Sequence, residues 1–206
     1  VDFINTGTSA EVTWHWNFGA GAAPATSINQ HEPGVLYATA GSKIITFTIT
    51  DIGTGCTDIS TQTININPTP TVSFTHNAPQ CANTAVNFTN TGTTGATLSY
   101  SWDFGDDAAP ALSTSESPLG VTYSSSGNKT VTFQITTPEG CSNSDVQIIN
   151  IFAIPTADAG LDTTICANTT TPLGSAAIGG YTYSWFPSST LSSATVSNPT
   201  ASPIAS

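Results

Sequence analysis

The strongest constraint on this chain is that it repeats itself. Tyr100-Ser-Trp-Asp-Phe-Gly-Asp-Asp107 has an earlier copy in Trp14-His-Trp-Asn-Phe-Gly19 and a degraded later one in Tyr181-Thr-Tyr-Ser-Trp-Phe186. Val1-Asp-Phe-Ile-Asn-Thr-Gly7 matches Val86-Asn-Phe-Thr-Asn-Thr-Gly92 at a shift of 85, and Gly41-Ser-Lys-Ile-Ile-Thr-Phe-Thr-Ile49 matches Gly127-Asn-Lys-Thr-Val-Thr-Phe-Gln-Ile135 at a shift of 86. Cys56 and Cys141 are 85 apart, as are Cys81 and Cys166. A period this long means that each copy is a folding unit in its own right, not one turn of a solenoid.

Each unit reads as antiparallel β. Apolar and small polar residues alternate through Leu98–Phe104, and Val131, Phe133 and Ile135 alternate with Thr and Gln. A period of two buries one face of a strand and leaves the other in water. In the middle unit the pattern predicts strands at Thr71–Thr75, Thr84–Asn90, Thr97–Phe104, Gly120–Ser124, Lys129–Thr137 and Ser144–Phe152. Gly, Pro, Asn and Ser clusters separate them, and Gly105–Leu119 is the longest, most irregular connection. Six or seven short strands without a helix describe an all-β sandwich. Three units follow: 1–68 without its N-terminal strand, a complete 69–153, and an incomplete 154–206. The first unit lacks the 17 residues that precede Val86 in the second, and the chain is expected to be a segment of a longer one. Asn67-Pro-Thr-Pro-Thr71 and Ala153-Ile-Pro-Thr156 are short and proline-bearing, which predicts semi-rigid junctions and a rod-like array.

Charge excludes whole classes of partner. The chain has two Lys, no Arg and thirteen carboxylates, a formal net charge of −11. Phosphate backbones and anionic headgroups are gripped through Lys and Arg, so nucleic acid is excluded as a partner. No apolar run is long enough to insert into a membrane. His15, His31 and His76 are isolated, and no His-Glu-x-x-His, Gly-x-Ser-x-Gly or phosphate-cradling loop occurs, so no enzyme is expected.

Three constellations remain. Trp16, Trp102 and Trp185 share one strand position; an aromatic platform for sugars is the functional reading, and a core tryptophan spanning the sandwich is the one the alternation favours. Asp103, Asp106 and Asp107 are a candidate calcium turn, since Ca²⁺ takes several oxygen ligands; aspartates in turns also accept backbone N–H bonds. No other cofactor is implied. Four cysteines fit an oxidising compartment. The repeat phase assigns Cys81 and Cys141 to one unit and predicts a bridge between them, contributing about 4 kcal/mol, with Cys56 and Cys166 paired outside the segment.

Trp102-Asp-Phe-Gly-Asp106, followed by a Tyr, a Gly turn and Thr130-Val-Thr-Phe-Gln-Ile135, resembles the polycystic kidney disease (PKD) domain. Asp107 stands where that family's pattern has a second Gly, and Asn17 and Ala20 replace Asp103 and Asp106 in the first unit. The third unit is similar to the Ig-like repeats that follow PKD units in large surface proteins of gliding bacteria. The resemblance implies an extracellular, immunoglobulin-like sandwich serving as spacer or adhesion module in a surface adhesin or filament exported by type IX secretion. Its partners would be neighbouring repeats, other surface proteins or glycans. The alternative it leaves is an accessory binding module of a secreted hydrolase. Asp162-Thr-Thr164 resembles the O-glycan acceptor pattern of the same bacteria, which makes Thr163 a candidate glycosylation site.

Overall fold

A computed structural model describes residues 1–7 and 10–204. The described residues form strands and turns and no helix. The chain divides into Val1–Ala153 and Ile154–Ser206. Within the first of these lie two hydrophobic cores, one drawn from residues between Phe3 and Ile64 and the other from residues between Val72 and Ile151.

The second repeat is built on the hairpin Gly127–Thr136 and Ser142–Phe152, paired from Gly127↔Ile151 to Thr136↔Ser142. Ser99–Asp103 adds to its other side with Trp102 opposite Phe133. Leu112–Ser113 lies outside Ser99–Asp103, and Gln80–Cys81 runs parallel to the end of Ser142–Phe152, completing five strands. The opposing layer comprises Phe74–His76 with Phe88–Asn90, Ala108–Ala109 with Thr122–Tyr123, and a bridge from Val86 to Val121. Between the layers Val86, Phe88, Trp102, Phe104, Val121, Tyr123, Val131, Phe133 and Ile135 are fully enclosed. The Trp102 and Phe133 rings stack at 3.8 Å with Phe74 edge-on to both. Aromatic pairs of this kind add about 0.5–1.5 kcal/mol each beyond the area they bury.

The first repeat copies this frame with fewer parts. Thr26–Ser27, Val12–Asn17, Gly41–Asp51 and Thr57–Ile66 form its four-stranded sheet, with Trp16 opposite Phe47. Phe3–Ile4 pairs with His31–Glu32, and Ala22–Ala23 with Leu36–Tyr37. Among the described residues no strand here corresponds to Phe74–His76 or to Gln80–Cys81, whose equivalents would precede Val1. The consequence is visible in the core: Phe133, Ile135 and Ile149 are at most 1% exposed, whereas their equivalents Phe47, Ile49 and Ile64 are only half-buried.

Two expectations are corrected, and the incomplete third repeat takes a reduced form. The connection Gly105–Leu119 is tied to the sandwich through its two short strands and the bond from Phe104 N–H to the Ala111 carbonyl, 2.9 Å; two-residue ladders are too short to show an alternation. The third repeat, expected to be incomplete, forms no sandwich among the described residues. It carries only Thr171–Pro172 paired with Thr200–Ala201 and a bridge from Leu191 to Ala201. Tyr181–Phe186 has no long hairpin like Gly127–Phe152 to pair with. Finally, Cys81 and Cys141 cannot be bridged. Cys81 pairs with Phe152 while Cys141 immediately precedes Ser142 at the other end of the same strand, roughly 30 Å away at ~3.3 Å per residue. A disulfide needs Cα atoms within about 7 Å, and no two of Cys56, Cys81, Cys141 and Cys166 are bridged to each other.

Candidate functional site

The strand that carries the repeated tryptophan works as a clamp. Trp16 Nε1–H donates to the Asn29 carbonyl at 3.0 Å, Trp102 Nε1–H to Ser115 at 2.9 Å and Trp185 Nε1–H to Val196 at 2.8 Å. Each indole ties down the segment that follows it, and at Trp16 and Trp102 the indole sits on a strand with its ring facing inward. Trp16 is 6% exposed and Trp102 fully enclosed, so neither presents a face to a sugar. Trp185 is half-buried. Two residues earlier, Tyr100 Oη accepts from Gly95 N–H at 3.0 Å and Tyr183 Oη from Ile178 N–H at 2.7 Å, so that the preceding loop is held in the same way in both repeats.

The candidate calcium carboxylates are divided among different tasks. Asp103 Oδ1 accepts from Gly105 N–H at 2.9 Å, and Asn17 Oδ1 does the same for Gly19 at 2.9 Å. Asn and Asp serve this turn equally because it needs only an acceptor. Asp106 is exposed. Asp107 Oδ2 pairs with Lys129 Nζ at 2.5 Å and accepts from Ser125 Oγ at 2.7 Å. The hydrogen bond from Lys129, then that from Ser125, holds the Asp107 carboxyl below the usual carboxylate range. Among the described residues no group of three or more His, Cys, Asp or Glu side chains comes together to hold a metal. The donors present do not fit a calcium ion: one carboxylate is neutralised by a lysine and another is committed to its own turn.

The two lysines prove to be one feature seen twice. Lys129 Nζ lies 5.9 Å from the centre of the Tyr123 ring and donates to Ser125; Lys43 Nζ lies 6.0 Å from the Tyr37 ring and donates to Thr39 Oγ1 at 2.9 Å. Only the second repeat supplies a carboxylate, because Gly21 stands where Asp107 would be. Burial raises the pKa of both tyrosines, and in Tyr123 the Asp107 charge adds to it. Tyr37 Oη donates to the Phe18 carbonyl at 2.9 Å; the buried Tyr123 hydroxyl has no partner among the described residues.

Two open grooves remain. In the third repeat Thr163, the candidate glycan acceptor, lines one together with Leu161, Leu173 and Trp185. In the first repeat a groove of about 340 Å³ runs between Ile4–Gly7 and the sheet, floored by Trp16, Phe47 and Ile49 and edged by Asp58, Ser60 and Gln62. The groove lies where Phe74–His76 sits in the second repeat, a segment whose equivalent would precede Val1 in the repeat phase.

These parts define a β-sandwich module organised by structural clamps. Residues 67–153 match the family model of the PKD domain. Among solved structures, the PKD1 domain of Vibrio anguillarum Epp is 23% identical with a TM-score of 0.36, over 43% of this chain and 99% of that one. The PKD1 domain from the Vibrio cholerae metalloprotease PrtV is 26% identical with a TM-score of 0.34, over 41% of this chain and 99% of that one. No curated protein matches the chain. No described helix is long and apolar enough to cross a membrane.

Proposed function

We propose that the chain is a non-catalytic, extracellular repeat segment of a long surface protein, serving as a spacer that also offers contact surface to other proteins or glycans. One observation carries the reading. What recurs between repeats is the indole clamp and the lysine over its tyrosine, both internal, whereas the exposed acidic positions change from copy to copy. A chain whose task was chemistry on a ligand would keep the exposed groups; one whose task is to hold distance keeps the frame. The long hairpins suit that task, since ten residue pairs join the two strands in each of the first two repeats.

Force spectroscopy on the intact chain tests the proposal. Stretching should give discrete unfolding events for the first and second repeats, each releasing a length set by its own residues. A glycan array probed with the same chain should show at most weak binding. Gradual extension without events, or tight binding of one glycan class, would replace the spacer reading with that of a ligand-binding accessory module.

A further inference from the structure

We infer that Ser142–Phe152 of the second repeat is a lateral docking edge, and that its occupant is the same edge of a second copy of this chain. The hydrogen-bond phase of the hairpin is set at its turn, where Thr137 N–H donates to the Cys141 carbonyl at 2.8 Å. In an antiparallel ladder bonded and non-bonded pairs alternate, so Asn143, Asp145, Gln147 and Ile149 direct their main-chain groups to Gly127–Thr136. Ser142, Ser144, Val146, Ile148 and Asn150 turn theirs the other way. Gln80–Cys81 lies on that side opposite Ile151 and Phe152 alone, with Ala82 N–H donating to the Phe152 carbonyl at 2.8 Å. Ser144 N–H is answered locally by Asn143 Oδ1 at 2.9 Å. No backbone group of the described residues bonds to the outward N–H or C=O of Val146 or Ile148.

Sheets guard their edges with very short strands, proline, lysine or inward charge. The opposite edge of this sheet is guarded: Leu112–Ser113 is two residues long and closely follows Pro110. Ser142–Phe152 runs for 11 residues without proline or lysine. Its one charge, Asp145, shares the inward face with Ile149, and its Oδ2 accepts from Gln147 Nε2–H at 2.9 Å. On the outward face Val146 and Ile148 are 57% and 69% exposed. An open edge flanked by apolar side chains is the setting for strand addition, in which main-chain bonds give affinity and the neighbouring side chains give specificity.

The stretch is complementary to itself, which is what an isologous two-fold contact requires. A two-fold axis at Val146 sets Val146 against Val146, Ser144 against Ile148 and Asp145 against Gln147. Each copy then runs on until its turn reaches Gln80 of the other. Of the neighbouring registers that keep the same main-chain groups opposed, one sets Asp145 against Asp145, and like charges directly opposite repel. The other drives the turn at Cys141 onto Gln80–Cys81. The favoured register brings Cys141 of one copy beside Gln80–Cys81 of the other.

The inference rests on the reading of the chain as a spacer that offers contact surface, and it gives that surface a partner. Stretching single chains does not sense pairing, so either can fail without the other. Sedimentation of the intact chain over a range of concentrations should show a reversible monomer–dimer equilibrium. Each copy carries a net charge of −11, so pairing should strengthen as salt rises to about 0.15 M and screens the repulsion. Val146→Lys should weaken it at least about tenfold, because it sets like charges opposite each other, with both unfolding midpoints unchanged. Ile59→Lys makes the same charge change on the corresponding strand of the first repeat and should leave pairing unaltered. Residue-resolved amide exchange should slow with concentration at Val146 and Ile148 and stay constant at Asp145 and Gln147. A short bismaleimide, which adds one thiol across each of its double bonds, should join Cys141 of one copy to Cys81 of the other. The inference is overturned by a chain that stays monomeric throughout, by pairing that weakens with salt, or by equal loss in Ile59→Lys and Val146→Lys. Protection confined to other strands, or cross-links between other cysteine pairs alone, would overturn it as well.

Discussion

Tyr37 and Tyr123 occupy one position in two repeats yet differ by a single hydrogen bond. Tyr37→Phe removes the bond to Phe18 and should cost about 0.5–1.5 kcal/mol in urea titration. Tyr123→Phe removes a buried hydroxyl without a partner and should be neutral or stabilising. Asp107 gives a second residue-level prediction. Its carboxyl has a lowered folded pKa, so it contributes stability fully above its unfolded value of about 3.9 and loses it as pH falls through the folded value. Thermal melts of wild type and Asp107→Asn should therefore differ by a constant amount at neutral pH and converge below about pH 4. The gap will be modest, since part-exposed ion pairs contribute about 0.2–1 kcal/mol. The indoles' inward placement at Trp16 and Trp102 was legible from alternation alone. The Lys129–Asp107 pair was not, because 22 residues separate its members and only the closed sandwich joins them.

The long hairpins were the legible elements, since ten or more residues of alternation outweigh any local ambiguity. The prediction of Lys129–Thr137 falls within two residues of Gly127–Thr136. Two-residue strands such as Ala108–Ala109 and Gln80–Cys81 are set by tertiary pairing and leave no periodic trace. The Cys81–Cys141 assignment failed for the same reason: repeat phase places two residues in one unit but says nothing of which end of the sheet each occupies. At this scale Gly92 is the sensitive point. Gly92→Ala drives a methyl into the backbone of Thr71–Ser73 and should cost about 1–3 kcal/mol as an overpacking change. Chemical denaturation should show this loss in the second repeat alone.

Across the whole molecule, the first and second repeats share a frame but not a degree of closure. The half-burial of Phe47, Ile49 and Ile64 against the near-complete enclosure of Phe133, Ile135 and Ile149 should make the first repeat the weaker. Differential scanning calorimetry should resolve two transitions, with amides of Gly41–Asp51 exchanging faster than those of Gly127–Thr136; a single transition with equal protection would contradict this. The equivalent placement of the only two lysines has a consequence for proteolysis. Trypsin-type proteases cut after Lys or Arg, and this chain offers them only the bonds after Lys43 and Lys129. Both bonds lie inside long paired strands, opposite Ile64 and Ile149. Cleavage must wait for a sheet to open, so it follows the population of the open form when opening is fast. Each of the first two repeats thus carries one trypsin-sensitive bond that stays closed until that repeat unfolds, and the order of the two cuts reads out the order in which those two repeats fail.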